Sequence, residues 1–174
     1  MKRLFFALWP DADLRQQCLQ IMQNIPISLA RPVTPANLHV TLQFLGQVNP
    51  DQEQALLAAA ETLCISPMSL LFDQLNYWRK PGILCLSSHN YDNQVSILAA
   101  QLAAIAQDNG IQLDQQPFRP HITLARKAHA ALAIEFSPIS WIDHGFCLVE
   151  SCSGNDGVVY KVIQRWELTT VPNS

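Results

Sequence analysis

Asn37-Leu38-His39-Val40-Thr41-Leu42-Gln43-Phe44-Leu45-Gly46 and Pro117-Phe118-Arg119-Pro120-His121-Ile122-Thr123-Leu124-Ala125-Arg126 share a tetrad, His-x-Thr-Leu, repeated 82 positions apart. In a β-strand residues i and i+2 share a face, so each tetrad presents an imidazole beside a hydroxyl and turns its apolar residues to the core. Two such strands brought together build one symmetric site. It holds two histidines, able to act as base and acid, and two threonine hydroxyls able to hold an anion between them. A single His-x-Thr carries little weight, because an isolated histidine among apolar residues is ordinarily a hydrogen-bonded structural group. The recurrence points to a site.

The elements around the tetrads alternate between strand and helix. Arg3 to Leu8 reads as a strand, and Asp11 caps a helix running to about Asn24, with Leu14, Cys18, Leu19 and Met22 at helical spacing. Three prolines between Pro26 and Pro35 preclude regular structure before the strand Leu38 to Leu45, which Gly46 closes. Pro50-Asp51 opens a helix through about Leu63, and Met68 to Trp78 reads as one strand running into the turn Arg79-Lys80-Pro81-Gly82. The strand Ile83 to Leu86 follows, then the longest helix, about Tyr91 to Gln107, stopped by Asn109-Gly110. After the second tetrad two more strands are expected, Trp141 to Glu150 and Val158 to Thr169. Strand, helix and His-x-Thr strand thus occur twice in the same order, with His39 36 positions after Arg3 and His121 38 positions after Ile83. A period near 80 residues is too long for a solenoid and suggests two lobes related by a pseudo-two-fold axis, which brings the tetrads face to face.

Composition narrows the function. At 174 residues and 49% hydrophobic content the chain can bury a core of its own, and a single domain over residues 1–174 is expected. The apolar N-terminus Met1 to Trp9 stops at Pro10-Asp11 without a small-residue cleavage site, so it reads as a strand and not as a signal peptide. No apolar run approaches the roughly 20 residues that span a bilayer; no membrane association and a cytoplasmic location are expected. Cys18, Cys64, Cys85, Cys147 and Cys152 are odd in number and scattered, which favours buried apolar thiols over disulfides or zinc ligands. A net charge of −3 with only 11 Lys and Arg leaves no basic face for tracking a long nucleic acid, so any nucleic-acid contact is confined to an end, a loop or one nucleotide.

These residues resemble the two-histidine (2H) phosphoesterases, and among them the RNA 2′,3′-cyclic phosphodiesterases historically called 2′-5′ RNA ligases. The likeness runs from Arg3-Leu4-Phe5-Phe6-Ala7-Leu8 through both tetrads to Tyr160 and Arg165-Trp166-Glu167-Leu168. It implies an α+β fold of two pseudo-symmetric lobes of antiparallel-dominated sheet, with outer helices and a central cleft. It also implies hydrolysis of RNA 2′,3′-cyclic phosphate ends to 2′-phosphomonoesters, without metal or other cofactor, by a monomer. On the same resemblance His39 is the general acid for the departing oxygen and His121 the general base for water; reversible 2′-5′ ligation would exchange the two roles. Thr41, Thr123 and Arg126 are the implied phosphate-binding residues, and a guanidinium can grip two phosphate oxygens at once. Phe44 is the implied base-stacking platform. Strict alternation puts Phe44 on the face opposite His39, and Arg126 opposite His121, so both roles require a strand end or a bulge.

His89, His129 and His144 lack a threonine partner and read as surface or loop residues; Asp143-His144 sits at a turn with no nucleophile elbow. Arg79-Lys80 beside Tyr77 and Trp78 reads equally as an RNA contact or a solvated turn, and Tyr160 is a weaker candidate for the cleft. Relatives often carry tryptophan where this chain has Cys85, which leaves that pocket wall undefined. Two other functions fit the same fold: a non-catalytic RNA-end-binding module, and a diesterase for another cyclic or 2′-5′-linked nucleotide.

Overall fold

Both faces of the first strand are buried: Leu4, Phe6 and Leu8 point one way, Phe5 and Ala7 the other. A strand buried on both faces belongs in the middle of a sheet. In the computed structural model, which describes residues 1–114, 116–154 and 157–167, β1 (Lys2–Leu8) lies between β3 (Val40–Val48) and β9 (Gly145–Gly154). With β10 (Gly157–Glu167) these strands form one lobe of the main sheet. The other lobe comprises β7 (His121–Arg126), β6 (Ile83–Ser87) and β5 (Gln74–Trp78), with β2 (Arg31–Pro32) beside β7. The order is β10-β9-β1-β3-β7-β6-β5 and the pairings are antiparallel. The lobes join at one residue pair, Val40 with Ile122.

Among the described residues three α-helices and a small second sheet cover one face. α1 (Ala12–Met22) starts where the Asp11 carboxylate accepts the Leu14 N–H at 2.8 Å, and buries Leu14, Cys18, Ile21 and Met22. α2 (Pro50–Ala60) is held by a reciprocal capping box between Asn49 and Gln52. α3 (Asn93–Asp108) buries Val95, Leu98, Ala99, Leu102 and Ala106 and ends before Gly110, whose φ is +74°. These residues share one core with Leu4, Phe6, Leu8, Ile122 and Leu124. The opposite face of the sheet carries Phe5, Ala7, Cys147 and Val149, with Trp9, Tyr160 and Val162 packed against them.

Several boundaries differ from the sequence reading. The segment Met68 to Trp78 is two strands, broken at Asp73: β4 (Met68–Phe72) pairs with β8 (Ile139–Asp143) in the second sheet, and β5 joins the main sheet. Trp141 to Glu150 is likewise broken at His144, between β8 and β9. In each case one hydrophobic run serves two sheets. The proline-rich segment contributes β2, whose Arg31 and Pro32 pair with Arg126 and Ala125. Helices α1 and α2 end at Met22 and Ala60, short of the expected Asn24 and Leu63. Gly46 does not close β3; at φ +70° it sits in a bulge through which the strand continues to Val48. The expected end of the last strand, Leu168 and Thr169, lies outside the described residues.

Candidate active site

The junction of the lobes organises the site. In the register of the Val40–Ile122 pair, His39 lies across from Thr123 and Thr41 across from His121. Val40 and Ile122 are fully buried, so the four polar side chains share the opposite face, the histidines on one diagonal and the threonines on the other. Diagonal neighbours on paired strands are roughly 7–8 Å apart, a span that one phosphate group can bridge.

Each tetrad is followed by a bulge. Along β3, Thr41 pairs with Ala7 and Gln43 with Phe6, leaving Leu42 as the extra residue. Along β7, Thr123 pairs with Cys85 and Ala125 with Leu84, leaving Leu124 as the extra residue. An extra residue resets the alternation of side chains. Phe44 and Arg126, at the same offset from their histidines, are thereby delivered to the histidine face. The Phe5 ring lies 4.9 Å from His39 and 6.0 Å from Phe44, and Phe44 is 62% exposed, so it is available as a platform and is no core residue. Arg126 is exposed, and its charge acts on both histidines.

The histidines are oriented alike. His39 Nδ1 is 2.6 Å from the Asn37 carbonyl oxygen and His121 Nδ1 is 2.7 Å from the Arg119 carbonyl oxygen; a carbonyl only accepts, so each Nδ1 carries the proton and donates. Each Nε2 is left for chemistry. His39 stands just before β3 and not within it, after the 3-10 turn Pro35–Asn37, and that turn brings the Asn37 carbonyl under the ring. Its Nε2 lies 3.0 Å from Thr41 Oγ1, which donates to it while the imidazole is neutral. Trp9 stacks on His39 at 6.0 Å and Tyr160 meets it edge-on at 5.0 Å, while Trp78 packs on His121 at 4.5 Å.

Burial lowers the pKa of His39 to about 4, more than its hydrogen bond to Asn37 raises it, and the nearby charges of His121, Arg126 and Arg15 push the same way. Burial also lowers that of His121, opposed by the Arg119 carbonyl and assisted by Arg126. At neutral pH both rings of the free protein are therefore neutral. General acid catalysis then requires one ring to gain a proton. The missing proton is favoured when a phosphodiester anion enters the cleft, because a nearby negative charge stabilises imidazolium.

The residues outside the tetrads divide cleanly. Trp78, Tyr160, Phe5 and Trp9 line the cleft; only Trp78 and Tyr160 stood out in the sequence, and the alternation of Phe5 with Phe6 was the available sign for Phe5. Cys85, opposite Thr123, is fully buried, and Trp78 on the adjoining strand supplies the wall that Cys85 cannot. His89 is exposed beside Asp73, and His129 and His144 are exposed. The Asp143 carboxylate accepts the His144 N–H, and burial raises its pKa to about 6. Cys18, Cys85 and Cys147 are buried with raised pKa values, whereas Cys64 is exposed, contrary to the reading of all five as core residues. Among the described residues no three His, Cys, Asp or Glu side chains gather as a metal-holding group, and no helix is long and apolar enough to cross a membrane.

The family model described as LigT like Phosphoesterase matches this chain twice, over residues 8–85 and 86–160. An RNA 2′,3′-cyclic phosphodiesterase of Escherichia coli K12 is 32% identical over 171 residues, 97% of each chain. One of Thermus thermophilus is 25% identical, over 95% of this chain and 90% of the relative. The crystal structure of E. coli LigT complexed with 3′-AMP superimposes with a TM-score of 0.89 at 32% identity, covering 97% of this chain and 98% of that one.

Proposed function

The chain belongs to the LigT-like phosphoesterase family, and on this footing we propose that it hydrolyses RNA 2′,3′-cyclic phosphate ends to 2′-phosphomonoesters. The observation that carries the reading is the pairing of the two tetrads at Val40–Ile122, which puts two imidazoles, each with its proton on Nδ1, and two hydroxyls on one face of the sheet within reach of one phosphate.

His121 Nε2 accepts a proton from water as the water oxygen attacks phosphorus. His39 Nε2, protonated once the anion is bound, gives its proton to the departing 3′ oxygen as the P–O3′ bond breaks. Thr41 is then freed from its own hydrogen bond to His39 and turns its hydroxyl to a non-bridging oxygen; Thr123 donates to another. Arg126 offsets the charge that develops on phosphorus oxygens. The terminal base stacks on Phe44, which is tolerant of base identity. The residue set is complete without a metal, so no cofactor is assigned. The two matches of the family model support an internal duplication within a single domain of residues 1–174. We further assign the protein to the cytoplasm as a monomer, acting on RNA ends or nucleotides with a 2′,3′-cyclic phosphate.

The test offers the chelator-treated protein an RNA oligonucleotide ending in 2′,3′-cyclic phosphate, and nucleoside 2′,3′-cyclic phosphates, and identifies the products. Turnover to 2′-phosphomonoesters, undiminished by chelator, is expected. Binding without turnover would make the protein an end-binding module, and activity lost to chelator and restored by zinc or manganese would overturn the mechanism.

A further inference from the structure

The two histidines are oriented by backbone carbonyls, and among the described residues only that of Asn37 belongs to a residue whose side chain is itself hydrogen-bonded to a distant strand. Asn37, whose carbonyl accepts from His39 Nδ1, donates from Nδ2 to the Val158 carbonyl at 2.7 Å and accepts at Oδ1 from the Tyr160 N–H at 3.3 Å. Val158 and Tyr160 flank Val159 on β10, the edge strand of the sheet. The amide thus takes up the carbonyl and the N–H that a residue of a neighbouring strand would take, 121 and 123 positions away in sequence. Tyr160, tied at its N–H, presents its ring edge-on to His39 at 5.0 Å. One side chain therefore joins the turn before the first tetrad, the edge of β10 and the aromatic wall of the cleft. On the other side of the pseudo-axis, Arg119 offers its carbonyl, and among the described residues His121 packs against Trp78.

We propose that Asn37 is the positioning residue of His39: by clamping the turn to β10 it fixes the carbonyl that holds Nδ1–H, and so fixes the tautomer and aim of the imidazole. This rests on the reading of His39 as an acid-base group. An imidazole free to put its proton on Nε2 presents a donor where the neutral resting form needs an acceptor, and a ring free to rotate loses its line to the departing oxygen. Removing the outer-shell group that orients a metal-bound histidine typically costs about 10–100-fold in activity, and a loss of that size is expected for this histidine.

The experiment combines two readings of Asn37→Ala. Imidazole nitrogen NMR of the substrate-free protein should show His39 as a single Nδ1–H tautomer in the wild type and as an exchanging mixture in the variant. Steady-state kinetics should show kcat down roughly 10–100-fold with KM little changed, and no further loss when Asn37→Ala is added to His39→Ala. Should Asn37→Ala fail to fold, Asn37→Asp keeps the acceptor for Tyr160 and removes the donor to Val158, and a mixed tautomer is expected there too. A single Nδ1–H tautomer in the folded variant, or wild-type kcat, would overturn the proposal. The tautomer is read without substrate, so an inactive wild-type protein would count against the hydrolase function alone. An unchanged tautomer in an active variant would count against the positioning role alone.

Discussion

Alanine in place of His121 or His39 is expected to lower kcat about 10²–10⁴-fold, the usual contribution of a general acid or base. Without His121 no group in the cleft takes the proton of the attacking water, and without His39 the 3′ oxygen departs as an alkoxide. The fold should survive, because neither ring lies in the main core and the strands are held by Val40 and Ile122 beneath them. Thr41→Ala and Thr123→Ala remove one neutral donor each and should cost less than either histidine change. The same series reads protonation. In kcat/KM, which reports the free protein, the base must be neutral and the acid protonated, so activity rises with pH through one apparent pKa and falls through the other. Burial lowers both histidines from the ordinary 6.5, His39 to about 4, so the bell should lie on the acid side of that value. Each single variant should lose or flatten a limb. In kcat the bell should move to higher pH, because the bound anion favours imidazolium. Wild-type rates in either alanine variant would make the doubled motif structural.

Gly145→Ala is expected to act on stability alone. A Cβ at Gly145 would stand 2.3 Å from the Trp166 carbonyl oxygen and 3.2 Å from Glu167 Cα, and both obstacles are backbone. Relief requires β9 and β10 to part at their Gly145–Glu167 pair, beside the Phe146–Trp166 stack at 4.8 Å that also packs on Phe6. Overpacking of this kind costs roughly 1–3 kcal/mol, and an obstacle of main chain puts it near the upper end. For a chain of this size 1 kcal/mol moves Tm by about 2–4 °C, so a fall of roughly 6–12 °C is expected by calorimetry. The turnover of the protein that remains folded at low temperature should be close to wild type. A Tm unchanged within error would mean that the strand end yields without strain.

The sequence disclosed the parts whose signals are local. The repeated His-x-Thr marked the site, period-two alternation marked the tetrad strands, the short apolar run stopped by Pro10-Asp11 marked β1, and Asp11 and Asn109-Gly110 marked helix ends. What escaped depends on partners far along the chain. A hydrophobic run such as Met68 to Trp78 carries no sign that Asp73 divides it between two sheets, since the division is set by pairing with β8 on one side and β6 on the other. Strict alternation placed Phe44 and Arg126 away from the histidines; the bulges at Leu42 and Leu124 that reverse this are slips against β1 and β6. Trp9, Trp78 and Tyr160 reach the same cleft from three separate strands or strand ends, so no window of sequence contains their meeting.

The most direct measurement is the position of phosphate in a complex of the protein with a nucleoside 2′-phosphate. The expected result is one phosphate with oxygens about 2.6–3.2 Å from Nε2 of both His39 and His121, the reach of an acid-base pair. The hydroxyls of Thr41 and Thr123 should hold its remaining oxygens, and the base should lie on Phe44. A phosphate that meets only one imidazole, or that binds away from the Val40–Ile122 junction, would contradict the single two-histidine site.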